Sequence, residues 1–248
     1  MGLPQQFANW FDSKGWTTYP HQLDICAQSA TGQSVLLIAP TGAGKTLSGF
    51  LPSLIELSQN PQEGLHTLYI SPLKALAVDI ARNLETPAQD MGLDITIETR
   101  TGDTPQAKRN RQRASPPNIL LTTPESLELM LSWSDAKKLF GQLRYVIIDE
   151  IHALMGSKRG DLLALSLASL RNIAPHSKSI GLSATIAEPE EMRCWLSAKK
   201  DEVTIIQPRL HKDIHINILD SKIAYLPWAG HSALYAAPEI YALIREKR

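Results

Sequence analysis

The run Ala39-Pro40-Thr41-Gly42-Ala43-Gly44-Lys45-Thr46 constrains this chain more than any other stretch. It follows an apolar β-type run, Val35–Ile38, and leads into a segment of helical period, Thr46–Leu57. Strand, glycine-rich turn and helix in that order read as a phosphate loop, in which backbone amides and a helix N-terminus face an anion. Gly42 and Gly44 let the backbone turn. Lys45 is placed to neutralise β- and γ-phosphates, and the Thr46 hydroxyl to coordinate Mg²⁺. The strict template has glycine where this chain has Ala39. A glycine-rich turn with an incidental lysine is the bland alternative, against which the flanking strand and helix argue.

A second constraint lies downstream. Asp149-Glu150-Ile151-His152 closes another apolar run, Tyr145–Ile148. With a phosphate loop in the same chain, Asp149 reads as a Mg²⁺ ligand acting through water, and Glu150 as the base that orients and activates the attacking water. His152 is a candidate link from the γ-phosphate site to the rest of the domain, or simply a hydrogen-bonded histidine. Ser183-Ala184-Thr185 follows a third apolar run, and its hydroxyls suit either a turn or a coupling element. ATP with Mg²⁺ is the cofactor pair that these residues imply.

Seven short runs qualify as strands: Val35–Ile38, Thr67–Ser71, Ile95–Thr99, Ile119–Thr122, Tyr145–Ile148, Ser179–Leu182 and Val203–Ile206. Helix-like segments separate most of them, among them Leu73–Glu85, Pro124–Leu131 and Asp161–Ile173. Continuous apolar strands alternating with helices predict an α/β fold, a parallel sheet with helices on both faces. Ligands of such sheets bind beyond the carboxyl ends of the strands. Before this unit, residues 1–30 form a helical preamble, with one helix around Phe7–Phe11 and another opened by Pro20-His21-Gln22. Residues 31–212 form the main domain. Residues 213–248 change character: Ile214–Leu219 alternates like an exposed strand, Leu226–His231 is a connection, and Pro238–Ile244 is helical.

The 248 residues carry 25 basic and 25 acidic side chains, so no global charge points to a polyanion. Any nucleic-acid contact must be local. Cys26 and Cys194 lack metal-ligand spacing and read as free buried thiols in a reducing compartment. No stretch is long and apolar enough to span a bilayer, and no signal peptide is evident; the expectation is a cytoplasmic protein with no membrane partner.

Taken together, these motifs resemble superfamily 2 DExH-box helicases. Ala39–Thr46 is similar to helicase motif I, Asp149–His152 to motif II and Ser183–Thr185 to motif III. Ser71-Pro72-Leu73-Lys74-Ala75-Leu76 resembles motif Ia; Arg100–Asp103 and Thr122–Leu127 resemble the next strand-contacting motifs. Gln22 stands where that family reads adenine. Asp79, Ser157–Gly160 and Leu226–His231 extend the resemblance to the Lhr group, and Gly64–Ile70 and Leu73–Met91 to its bacterial ligase-associated branch.

The resemblance implies a RecA-like P-loop NTPase domain, with Pro40 to Thr46 around the nucleotide and Lys45, Asp149, Glu150 and His152 in the chemistry. Ser183, Ala184 and Thr185 would couple hydrolysis to movement. Pro72, Lys74, Thr101, Gly102, Thr122, Thr123, Pro124 and Glu125 would meet the strand. It implies 3′-to-5′ translocation on single-stranded DNA or a tailed duplex, in DNA repair, with a ligase or nuclease complex as a possible partner. The expected second RecA-like domain, with its arginines, has no counterpart before Arg248. The chain is therefore expected to be a first motor half that binds ATP and hydrolyses it poorly alone. An RNA helicase, a nucleotide-gated binding module and a small-molecule kinase are the alternatives. The basic run Lys108–Arg113 is either a solvated helix face or a strand-facing patch. One of Trp10, Phe11 and Trp16 is a candidate cover for the adenine, and Trp228 either stacks on a base or packs the linker.

Overall fold

The computed structural model describes residues 2–184, 189–197, 199, 202–208 and 236–246. It divides into two compact units, Met1–Pro208 and Arg209–Arg248. In the second unit the described element is a helix, α11 (Ala237–Glu246), the helical run expected near 238–244. The expected strand at 214–219, Trp228 in its connection, and Thr185 lie outside the described residues.

The first unit opens with α1 (Gln5–Ser13) and α2 (Pro20–Ala30), the latter with Pro20 in its first turn, where a missing amide hydrogen is harmless. Then follow β1 (Ser34–Ile38), α3 (Lys45–Gln59), β2 (Thr67–Ile70), α4 (Lys74–Asp90), β3 (Ile97–Arg100), α5 (Gln106–Ala114) and β4 (Ile119–Thr122). After them come α6 (Pro124–Leu131), α7 (Ala136–Phe140), β5 (Tyr145–Ile148), α8 (Ile151–Leu154), α9 (Lys158–Ile173), β6 (Lys178–Ser183), α10 (Pro189–Leu196) and β7 (Val203–Ile206).

All seven strands pair in parallel, in the order β3-β4-β2-β5-β6-β1-β7. This is the parallel α/β sheet that the apolar runs predict. The five central strands are buried almost throughout, because helices cover both their faces. Right-handed crossovers put α3 and α4 on one face and α6 and α9 on the other. The helices leaving the neighbours β1 and β6 thus diverge, opening a crevice above those strand ends.

Three details differ from the sequence expectation. β3 starts at Ile97 rather than Ile95, because the Thr96 amide donates to the Asn118 side chain (2.8 Å) before the ladder begins. Cys194 is exposed; Cys26 is partly buried, and burial pushes its thiol up to about 12, leaving it protonated at neutral pH. The basic run Lys108–Arg113 lies in α5 and is largely paired. Arg111 reaches Glu98 (2.7 Å), Arg113 reaches Asp135 (2.6 Å), and Arg109 donates to the Thr101 carbonyl (3.1 Å).

A buried histidine makes the fold sensitive to acid. His66 is 1% exposed, with Nδ1 2.8 Å from the Thr67 hydroxyl and Nε2 3.7 Å from Glu56. Burial, partly opposed by Glu56, lowers its pKa to about 4. An unfolded imidazole titrates near 6.5. Between those values the unfolded chain binds a proton that the fold refuses, so stability falls as pH drops through that window. The urea midpoint of His66→Gln should therefore change less between pH 7 and pH 4.5 than that of the wild type; parallel curves would remove His66 from the acid response.

Candidate functional site

The phosphate loop grows out of the end of β1. The Ala39 amide donates to the Ser183 carbonyl (3.1 Å), so the sheet ladder runs on into the loop and ties it to the end of β6. Gly42 and Gly44 have φ of 78° and 69°, the left-handed region that glycine enters freely. A Cβ on Gly44 would also lie 3.3 Å from Gln22 Nε2. Gln22 is buried against the loop and caps α2 through its Oε1, which accepts the Tyr19 amide (2.9 Å). Lys45 folds inward: its ammonium donates to the carbonyls of Ala39 (3.0 Å) and Pro40 (3.2 Å).

The carboxylates stand at the end of β5. Asp149 is 3% exposed. Its Oδ2 accepts the Tyr69 hydroxyl at 2.5 Å, and its Oδ1 accepts the Glu150 amide at 2.8 Å. Burial raises the Asp149 pKa, opposed by those two donors. Burial, with Asp149 alongside, also raises the Tyr69 pKa, so the phenol remains a donor. Tyr69 stacks on Phe50 of α3 with ring centroids 5.2 Å apart, so the carboxylate is braced from the phosphate-loop helix as well. Glu150 is the single non-glycine residue with positive φ, 47°, among those described. A non-glycine side chain held there is strained, and such strain collects at working sites.

Thr41, Gly42, Gly44, Lys45, Thr46, Asp149 and Glu150 line one cavity of about 300 Å³. Two motifs far apart in sequence thus share one space at the carboxyl edge of the sheet. His152 Nδ1 lies 3.3 Å from Glu150 Oε2, 3.2 Å from the Ser183 hydroxyl and 3.4 Å from the Ala184 amide. A path of contacts therefore runs from Glu150 through His152 to Ser183 and on to Ala39. Among the described residues no cluster of three or more metal-ligating side chains occurs. The Asp149 carboxylate and the Thr46 hydroxyl on one cavity suit Mg²⁺, which keeps several of its own waters, rather than a protein cage. A larger cavity, about 750 Å³, lies at the amino edge, where Arg113 and Asp135 already neutralise each other.

A model of the DEAD/DEAH box helicase family matches residues 19–192. The chain belongs to that family. A Mycolicibacterium smegmatis protein described as Lhr helicase/probable uracil glycosylase is 42% identical over 223 residues, covering 84% of this chain and 15% of its own length. The ATP-dependent helicase Lhr-Core of Methanocaldococcus jannaschii is 38% identical over 232 residues, covering 88% of this chain and 27% of its own. The structure of Mycobacterium smegmatis helicase Lhr bound to ssDNA and AMP-PNP superposes with a TM-score of 0.77 at 43% identity, over 85% of this chain and 28% of that one. The chain thus spans about a quarter or less of the length of these relatives. It carries a DEAD/DEAH box helicase domain with a RecA-like fold and is strongly similar over that domain to the Lhr helicases.

The residues expected to meet a strand divide in the structure. Lys74 is exposed at the start of α4, its ammonium 2.9 and 3.1 Å from the Asp103 carboxylate. It lies 3.3 Å from where a Cβ on Gly102 would stand, so Lys74 and Gly102 are neighbours; Arg109 donates to the Gly102 carbonyl (2.5 Å). Pro72 is buried beside this group. Thr101 is buried, its hydroxyl 3.3 Å from the Asp103 amide. Thr122 is fully buried, and its hydroxyl donates to the Arg100 carbonyl across the sheet (2.8 Å). The Thr123 hydroxyl turns to Ser126 (3.3 Å), and Pro124 is buried at the start of α6. Glu125 is exposed and holds Arg159 (2.5 Å), which lowers its pKa. Tyr69 carries no spacing signal in the sequence, and Asp103 and Arg159 lie inside the runs 100–103 and 157–160 without a mark that foretells their ion pairs with Lys74 and Glu125.

Removing the Tyr69 hydroxyl leaves a buried carboxylate short of a donor. A hydrogen bond to a charged group is worth about 1.5–3 kcal/mol. Tyr69→Phe should lower unfolding stability in urea by about that amount, and an unchanged midpoint would mean that Asp149 does not need the phenol.

Proposed function

We propose that this chain is the first motor domain of an ATP-dependent translocase acting on single-stranded DNA or a tailed duplex. The observation that carries the reading is the single cavity shared by Lys45, Thr46, Asp149 and Glu150. Lys45 and the loop amides hold the β- and γ-phosphates. Thr46 and Asp149 hold Mg²⁺, which when bound supplies charge neutralisation for the transferred phosphoryl group. Glu150 orients water and accepts its proton. His152, through Ser183, passes the state of Glu150 to the end of β6. Gln22 reads the adenine, and the aromatic wall of Trp10 and Trp16 covers it. Support comes from a cavity of about 480 Å³ lined by both tryptophans together with Thr46 and Leu47, next to the phosphate site.

The domain division that goes with this reading is 1–30, 31–212 and 213–248, the last leading into a second RecA-like domain. In support, α11 carries exposed Ile240, Tyr241, Leu243 and Ile244, apolar side chains that a further domain would cover. DNA is favoured over RNA because the Lhr structure named above carries ssDNA. A 3′-to-5′ polarity, a repair role alongside a ligase or nuclease, and a cytoplasmic site complete the proposal. They rest on the family resemblance and, for location, on there being no helix among the described residues long and apolar enough to cross a membrane.

Two measurements test it. Lys45→Ala should abolish binding of a fluorescent ADP, and Glu150→Gln, in a chain carrying both motor domains, should keep ATP binding and lose turnover. Intact affinity in the first, or intact turnover in the second, would overturn the assigned role. For the strand, each phosphate neutralised contributes about 0.7 to the slope of log affinity against log salt on single strands. Lys74→Ala should weaken single-stranded DNA binding and flatten that slope by about that much. Stronger stimulation of the ATPase by RNA than by DNA would replace the DNA reading with the RNA one.

A further inference from the structure

Directly behind the phosphate loop lies a residue that none of these roles uses. His21, in the first turn of α2, is 1% exposed. Its Nε2 lies 2.9 Å from the Ala43 carbonyl oxygen. A carbonyl only accepts, so Nε2 carries the hydrogen and the imidazole is the donor. The other ring nitrogen, Nδ1, is buried and has no hydrogen-bond partner among the described residues. The ring stacks on Tyr19, centroids 5.2 Å apart and planes 16° from parallel. Burial lowers the His21 pKa, against the pull of the Ala43 carbonyl and Asp24, which keeps the ring neutral at physiological pH.

The direction of that bond matters. A trans peptide is planar, with its C=O and N–H pointing opposite ways. The Ala43 carbonyl and the Gly44 amide hydrogen belong to the same peptide. Holding the carbonyl toward His21, on the buried side, turns the Gly44 N–H away from it, toward the cavity that Gly44 lines with Lys45 and Thr46. The adjoining side chains prevent the loop from backing away: Gln22 Nε2 and Tyr19 lie 3.3 and 3.7 Å from where a Gly44 Cβ would stand. Gly44 also has φ of 69°, and with no Cβ it places little steric restraint of its own on the peptide before it.

We infer that His21 is a positioning residue of the nucleotide site: by donating Nε2–H to the Ala43 carbonyl it fixes the Ala43–Gly44 peptide with its amide facing the phosphates. This rests on the phosphate-loop reading proposed above. The buried ring gives up one nitrogen's hydrogen bonding to provide the other at the right place. A merely space-filling residue at that position would more cheaply be apolar, since an unpartnered buried polar atom is unfavourable.

The test crosses the ring with the donor. His21→Phe keeps an aromatic ring on Tyr19 and removes the donor. His21→Gln loses the ring and returns a side-chain N–H at about the reach of Nε2. Affinity for a fluorescent ADP is measured on the full chain, with thermal unfolding of each variant in parallel. His21→Phe is expected to weaken ADP binding about tenfold, the equivalent of one hydrogen bond, with His21→Gln restoring it to within about threefold of wild type. Wild-type affinity in His21→Phe overturns the inference. So does a His21→Gln that binds as weakly as His21→Phe while unfolding at the wild-type temperature. Should His21→Gln fail to fold, His21→Phe alone decides. Lys45→Ala, run alongside, separates the two claims: if it keeps its affinity, the phosphate-loop reading itself has failed, whereas lost affinity in Lys45→Ala with none lost in His21→Phe defeats only the role of His21.

Discussion

A sheet whose strands all run the same way has one carboxyl edge, and everything this domain does follows from that constraint. Parallel pairing of β5, β6 and β1 sets the ends of three strands side by side. Asp149 and Glu150 leave the first, Ser183 and Ala184 end the second, and the phosphate loop leaves the third. The order places the hydroxyl of β6 between the acids and the loop. Contacts of about 3 Å then suffice to join them, through His152 on one side and the Ala39 amide on the other.

The support behind this edge is as organised as its front. Asp149 leans on Tyr69, which stacks on Phe50 in the helix that starts at Lys45. Ala43 and Gly44 rest against His21, Gln22 and Tyr19 of the preamble. The preamble therefore packs directly against the glycine-rich loop and helps to hold its shape. Buried polar groups of this kind are unfavourable unless paired, and each oxygen of Asp149 has a donor. The Nδ1 atom of His21 departs from the rule.

How much of this could be read from the chain follows from the range of each interaction. β4 and β5 coincide with their apolar runs, because a strand buried on both faces is apolar almost throughout, and the edge strand β7 coincides as well although it is only partly buried at its two middle positions. The phosphate loop and the acids were legible for a similar reason, since glycine freedom and strand-end placement leave local marks. The Tyr69–Asp149 bond spans 80 positions and leaves no such mark. Neither does Lys74–Asp103, nor the inward turn of Thr122 toward Arg100. A threonine ending a strand looks the same in sequence whether its hydroxyl faces outward or the neighbouring strand. The basic run in α5 misleads in the same way: its charges look available until the fold brings Glu98 and Asp135 to them.

The ammonium of Lys45 has a consequence of its own. In this structure it is bonded to two carbonyls of the loop it serves. A phosphate entering the loop meets a cation with partners already in place, and binding becomes an exchange of ligands rather than the filling of a gap. Exchange reactions yield only the difference between old and new bonds. The net gain therefore depends on how many of those bonds the incoming oxygens replace.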